Sequence, residues 1–111
     1  MLNQIVLVGR MTRNITVNKS SNGTKVATIS LAIPRSFKNS EGIYDTDFVD
    51  CVLFDNVAEN TAEYCNKGDI VGVKGRIQSR IVEEGDKKEN TIEIIAEKVT
   101  FLSSKKTEEV E

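Results

Sequence analysis

Lys25-Val26-Ala27-Thr28-Ile29-Ser30-Leu31-Ala32-Ile33 decides the fold. Apolar side chains fall at 27, 29, 31 and 33, with small or hydroxyl residues at most positions between them, the period of two of a strand with one face in a core. Working outward, similar strands are predicted over residues 4–9, 47–54, 70–80 and 91–102, which makes five. Turn chemistry separates them at Ser21-Asn22-Gly23, Ser40-Glu41-Gly42 and Glu84-Gly85-Asp86. A helical spacing occurs at residues 57–65, where Val57, Thr61 and Tyr64 recur at i, i+4 and i+7. Asp55 or Asn56 can cap its start, Gly68 lies past its end, and Tyr64 is expected to face the core. Five strands with one short helix between the third and fourth is the order of an OB-fold, an all-β, five-stranded Greek-key barrel whose outer face and loops bind oligonucleotides or oligosaccharides.

The chain has 111 residues, enough for one domain that folds without staples. Its apolar runs are far too short for a membrane span, and no leader pattern follows Met1, so a cytosolic protein is expected. With two cysteines and no histidine, a four-ligand Cys/His zinc site and any Ser-His or Cys-His nucleophile are excluded within one chain. No metal or other cofactor is expected, and both thiols read as reduced and structural. There is no phosphate-binding Gly-Lys-Ser/Thr loop, and the carboxylates are scattered, so an enzyme is the least expected class.

The net charge of -2 hides a segregation. Residues 1–40 hold six cations and no acid, residues 41–80 four cations against eight acids, and residues 81–111 five against nine. One surface can therefore be basic while the rest is acidic. Phe48 and Phe54 share one side of a strand, opposite Val49, Cys51 and Leu53. The pattern leaves open which set is core. Phe37 lies between Arg35 and Lys38 in a polar segment read as a long hairpin loop. Lys74, Arg76 and Arg80 line one side of the fourth strand with no acid among them, a pattern suited to phosphates. Gly75 marks a bulge or a close backbone approach. Asp50, between the two phenylalanines, would repel phosphate unless a cation pairs with it.

Further motifs carry a resemblance: Ile5-Val6-Leu7-Val8-Gly9-Arg10-Met11-Thr12, Asn22-Gly23 before Val26-Ala27-Thr28, Asp47-Phe48 leading to Leu53-Phe54, Ala58-Glu59, Tyr64, Lys67-Gly68 and Gly75-Arg76-Ile77. In this order and spacing, over residues 1–102, the chain resembles the bacterial and phage single-stranded DNA-binding proteins. The resemblance implies an OB-fold that assembles with itself, usually as a homotetramer with a dimer as the alternative, and wraps single-stranded DNA in replication, recombination or repair. It implies that Phe48 and Phe54 face outward and that Arg10, Arg35, Phe37, Lys38, Phe48, Phe54, Lys74, Arg76 and Arg80 contact the strand, with Tyr44 and Tyr64 weaker candidates.

Two features depart from the family. Ile81 and Val82 follow Arg80 where a ring is common, and residues 103–111, read as a short disordered tail, lack the acidic-hydrophobic tip through which longer members recruit replication and repair proteins. Recruitment of that kind is not expected here. The competing readings are an accessory OB-fold protein of primosome or recombination type, and a peptide- or carbohydrate-binding module.

Overall fold

The computed structural model describes residues 1–104. In chain order it contains β1 (Ile5–Met11), β2 (Asn18–Lys19), β3 (Lys25–Lys38), β4 (Tyr44–Phe54), α1 (Asp55–Tyr64), β5 (Ile70–Glu84) and β6 (Lys87–Ser103). The sheet runs β1-β5-β6-β4-β3-β2, and an added β1–β3 pairing joins its ends into a closed barrel. Closure removes the open edges that would otherwise invite strand addition. Apart from the two-residue β2, the strands are the five expected, and the helix falls between the third and fourth of them.

The period read from β3 holds. Ala27, Ile29 and Leu31 are buried and meet Cys51 and Leu53 of β4, Val71 and Val73 of β5 and Met11 of β1 in one core. Gly75 sits where β6 is bulged, since Lys74 pairs with Lys98 but Gly75 pairs with Ala96. A β-carbon on Gly75 would lie 2.1 Å from the carbonyl oxygen of Ile95, so only glycine fits this crossing.

Four expectations need correction. The segment containing Arg35 and Phe37 is not a loop: β3 runs on to Lys38 and β4 begins at Tyr44, so the strands form a long hairpin arm. Its turn is held by Asn39, whose Oδ1 accepts from the Glu41 and Ile43 amides, while Gly42 takes a φ of +78° that other residues rarely adopt. β5 and β6 likewise extend past the barrel as a second arm closed at Gly85-Asp86. The radius of gyration, 15.9 Å, exceeds the roughly 13 Å of a compact domain of this length because of these arms.

The helix does not bury Tyr64, which is 66% exposed. Its inner side is Ala58 and Thr61, with Cys65 just beyond, small residues that let it lie close over the barrel. The helix is also not capped by Asp55 or Asn56: Phe54 holds the cap position with no side-chain bond. Asp55 turns into the left-handed region, φ +48°, which an aspartate tolerates better than most residues, and its Oδ1 accepts from the Lys25 amide at 3.3 Å. Ser103, expected to begin the tail, still pairs with Ile70 at the end of β6. The remainder of the expected tail, 105–111, lies outside the described residues.

Candidate nucleic-acid interface

β4 divides the molecule. Its odd positions point inward, with Cys51 and Leu53 fully buried and Val49 packed against the core. Its even positions point outward, so Phe48 is 72% and Phe54 38% exposed. Tyr44 belongs to the same outward set and is also exposed, which gives three rings on one face. Phe48 and Phe54 are six residues apart, roughly 20 Å along the strand. Tyr44 was legible as the same parity four residues before Phe48, but its place in a polar segment obscured it.

Strand pairing extends this face sideways. Val52 of β4 pairs with Ile95 of β6, and Ile95 with Arg76 of β5, so Arg76 reaches the same outer surface two strands away. Its guanidinium donates to Gln78 Oε1 at 2.6 Å, a neutral partner that leaves its charge available. On the other side Phe54 pairs with Val26, and Val26 with Asn18. Beside them lies a groove of about 320 Å³ lined by Arg13, Thr16, Asn18, Val26, Ala27 and Thr28. Arg13 was not among the expected contacts, because no motif marks a lone arginine in a loop.

The other expected cations are placed unevenly. Lys74 is exposed, but it pairs with Val6 and Lys98 at the β1 side of the sheet. The row Lys74, Arg76, Arg80 is not free of acid: Glu93 on β6 reaches Arg80 at 3.0 Å. That contact crosses strands and is invisible in a single stretch of sequence. Arg10 is part of the framework, donating to the Gly68 carbonyl at 2.8 Å where β1 meets the loop after α1. Arg35 grips Asp47 through Nε and Nη2 at 2.9–3.2 Å, with Asp45 3.8 Å away. This pairing raises the pKa of Arg35 and lowers that of Asp47, the hydrogen bond between them being the main cause in both. Asp47 points to the side of β4 opposite Phe48, so Arg35 is drawn away from that ring. Lys38 instead pairs with Tyr44, its Nζ 5.6 Å from the ring centroid. Phe37 is 66% exposed on the same arm.

Behind the face, burial pushes the Cys51 thiol up to about 11, with the neighbouring Asp50 carboxylate adding to the shift. It therefore carries almost no thiolate near neutral pH. Among the described residues no cluster of three or more Cys, Asp or Glu could hold a metal ion, and no helix is long and apolar enough to cross a membrane.

Comparison with known proteins bears on the family and the fold. The model of the single-strand binding protein family matches residues 2–102. The chain is 45% identical over 109 residues to single-stranded DNA-binding protein B of Bacillus subtilis, covering 97% of this chain and 96% of that one. It is 44% identical over 106 residues to single-stranded DNA-binding protein 3 of Listeria innocua, covering 95% of this chain but 66% of the relative. Among solved structures, a Plasmodium falciparum SSB in complex with single-stranded DNA superposes with a TM-score of 0.78 at 29% identity, covering 93% of this chain and 96% of that one. With the family model spanning the barrel and the helix, and a relative 45% identical over nearly its whole length, the chain belongs to the single-strand binding protein family.

Proposed function

We infer that this protein binds single-stranded DNA with little regard to base sequence and protects it during replication, recombination or repair, without catalysing a reaction. The observation that carries the reading is the outer face of β4, where Tyr44, Phe48 and Phe54 stand exposed on a rigid sheet with Arg76 in the row beside them. Every base has a π-face, so rings on a rigid sheet stack any sequence, while cations track the phosphates. A duplex hides its base faces and gains little from such a surface. The names of the bacterial relatives, and the DNA strand bound in the Plasmodium complex, support the same ligand.

In this reading Phe37, Phe48 and Phe54 are platforms, and Arg76, Arg80, Lys74 and Lys38 hold phosphate. Arg10 acts through the framework, and Arg35 contributes once its carboxylate partner is displaced. Assembly with further copies is expected, as a homotetramer or a dimer: Val6 and Val8 on β1 are 67% and 53% exposed on the side away from the core, an apolar surface that a second copy would cover. A cytoplasmic protein associated with the nucleoid fits such a ligand. Anisotropy of a labelled oligo-dT, with the matching duplex as competitor, tests the ligand, and sedimentation tests the assembly. Strong binding of the single strand and weak competition by duplex are expected; equal affinity for the two would overturn the reading.

A further inference from the structure

The acids near this face differ in how they are held. On β4 itself, Asp47 is gripped by Arg35, and Asp45 accepts from Asn39 Nδ2 at 3.2 Å with Arg35 beside it. Across the sheet Glu93 is paired with Arg80, and Glu59 of α1 with Lys25. Asp50 is exposed and has neither an ion pair nor a side-chain hydrogen bond among the described residues. It lies on the outward side of β4, two residues from Phe48 and four from Phe54, where a nucleic-acid strand would pass.

A lone carboxylate in that position repels phosphate, so it imposes a cost unless something else in the ligand satisfies it. A carboxylate only accepts hydrogen bonds. The donors available in a DNA strand are on the base edges, and the bases differ sharply in what they offer. Guanine places N1–H and the N2 amino group side by side, a match for the two oxygens of a carboxylate. Cytosine and adenine offer one amino group next to an acceptor nitrogen. Thymine offers one N3–H between two carbonyl oxygens, both of which repel the carboxylate.

The neighbour across the strand pair completes the fit. Ser30 of β3 is the register partner of Asp50, so both side chains lie on the outer face with β-carbons about 5 Å apart. The Ser30 hydroxyl can donate to guanine O6 while Asp50 takes N1–H and N2–H. Asp50 is roughly 7 Å along the strand from Phe48, close enough to meet the edge of a base stacked on that ring.

We propose that Asp50 and Ser30 form a base-edge site that takes guanine beside the Phe48 platform and disfavours thymine, laying a composition preference over general strand binding. The proposal rests on the reading of this face as a single-strand site. It requires the phosphate chain to run to the side of Asp50, toward Arg76.

The test compares two labelled strands of equal length by anisotropy in lithium buffer, which suppresses guanine self-association: oligo-dT, and the same strand with isolated guanines in place of some thymines. The parent is expected to favour the guanine strand about fivefold or more, the lower end of what one bidentate base contact supplies. Asp50→Ala and Asp50→Asn should bring the ratio close to one while tightening oligo-dT binding, and Ser30→Ala should lower the ratio in part. Asp50 is exposed and Ser30 half-buried, and circular dichroism melting checks that each variant folds. A ratio that survives in Asp50→Ala overturns the proposal, as does equal tightening on both strands, which would make Asp50 a phosphate repeller only. A parent that binds neither strand overturns the general reading as well, and is thereby distinguished from failure of the guanine site alone.

Discussion

The two hairpin arms leave the same barrel and are built for different work. The β3–β4 arm carries rings, and its charges are tied to one another: Arg35 to Asp47, and Lys38 over Tyr44. The β5–β6 arm carries aliphatic side chains and charges of both signs, with Ile81 and Ile92 exposed, Val82 where a ring is common in the family, Arg80 paired with Glu93 and Lys88 with Glu83, and Arg76, among the described residues, bonded to a neutral amide. The rings and Arg76 thus stand in different parts of the molecule, and stacking and charge should be separable by mutation.

The largest effect is expected where the second arm departs from the barrel. Gly75→Val would drive its side chain into the Ile95 carbonyl, which cannot move without breaking the β5–β6 ladder. Loss of the cooperative melting transition is expected, against a shift of a few degrees at most for Gly85→Asn, a turn position with open space around it. An intact transition in Gly75→Val would mean that the arm does not depend on this crossing.

Next in size is the stacking arm. Phe48→Ala should cost about 1–3 kcal/mol of single-strand affinity for each base lost from a ring, with almost no change in the slope of log K against log salt. A buried residue of the same strand provides the contrast: Leu53→Ala should cost about 2–5 kcal/mol of stability. Anisotropy titrations at several salt concentrations, beside thermal melts, distinguish the two. Parental affinity in a folded Phe48→Ala would remove that ring from the site.

The charge arm comes third. Each phosphate neutralised on a single strand contributes roughly 0.7 to the salt slope. Arg76→Ala should flatten the slope by close to that amount, and Arg80→Ala by less, because Glu93 already offsets its charge. Equal flattening in both would show that Glu93 releases Arg80 on binding.

Much of this division was readable from the chain. The alternation in residues 25–33 located the core because one side of β3 is buried along most of that length, whereas in β4 the period left both sides open and the family resemblance, not the pattern, put Val49, Cys51 and Leu53 inward. Gly75 stood out for a comparable reason, since a glycine in a strand usually marks a contact that a side chain would block. The arms were harder. Beyond the barrel neither side of a two-stranded ribbon is buried, so Arg35, Ser36 and Phe37 show no period and read as loop. Tyr64 was misplaced because helical spacing identifies a face without saying how much room lies beneath it, and here Ala58 and Thr61 are buried with Val57 packed beside them, while Tyr64 stays outside. The pairings of Arg35 with Asp47 and of Arg80 with Glu93 span 12 and 13 residues across strands, and depend on a register that composition does not supply.

The smallest effect, and the sharpest on the comparison between arms, concerns Arg35. Between the pairs Pro34–Thr46 and Lys38–Tyr44, three residues of β3 stand against one of β4, and beside this irregularity Arg35 meets Asp47. A guanidinium already facing a carboxylate releases few counterions when a phosphate arrives, because it must first give up that partner. Arg35→Ala should therefore change the salt slope far less than Arg76→Ala, although a bare count of cations would rank them equally. Asp47→Asn should act in the opposite direction, freeing Arg35 and steepening the slope by up to about 0.7. Acid should mimic it. The pKa of Asp47 is lowered by Arg35, so the pair is intact above the ordinary carboxylate range and is lost only as pH falls through the depressed value. The slope difference between parent and Asp47→Asn should accordingly vanish in that acidic window and persist at neutral pH. A slope in Arg35→Ala flattened as much as in Arg76→Ala would show that the pair opens freely, and that the first arm carries charge as well as rings.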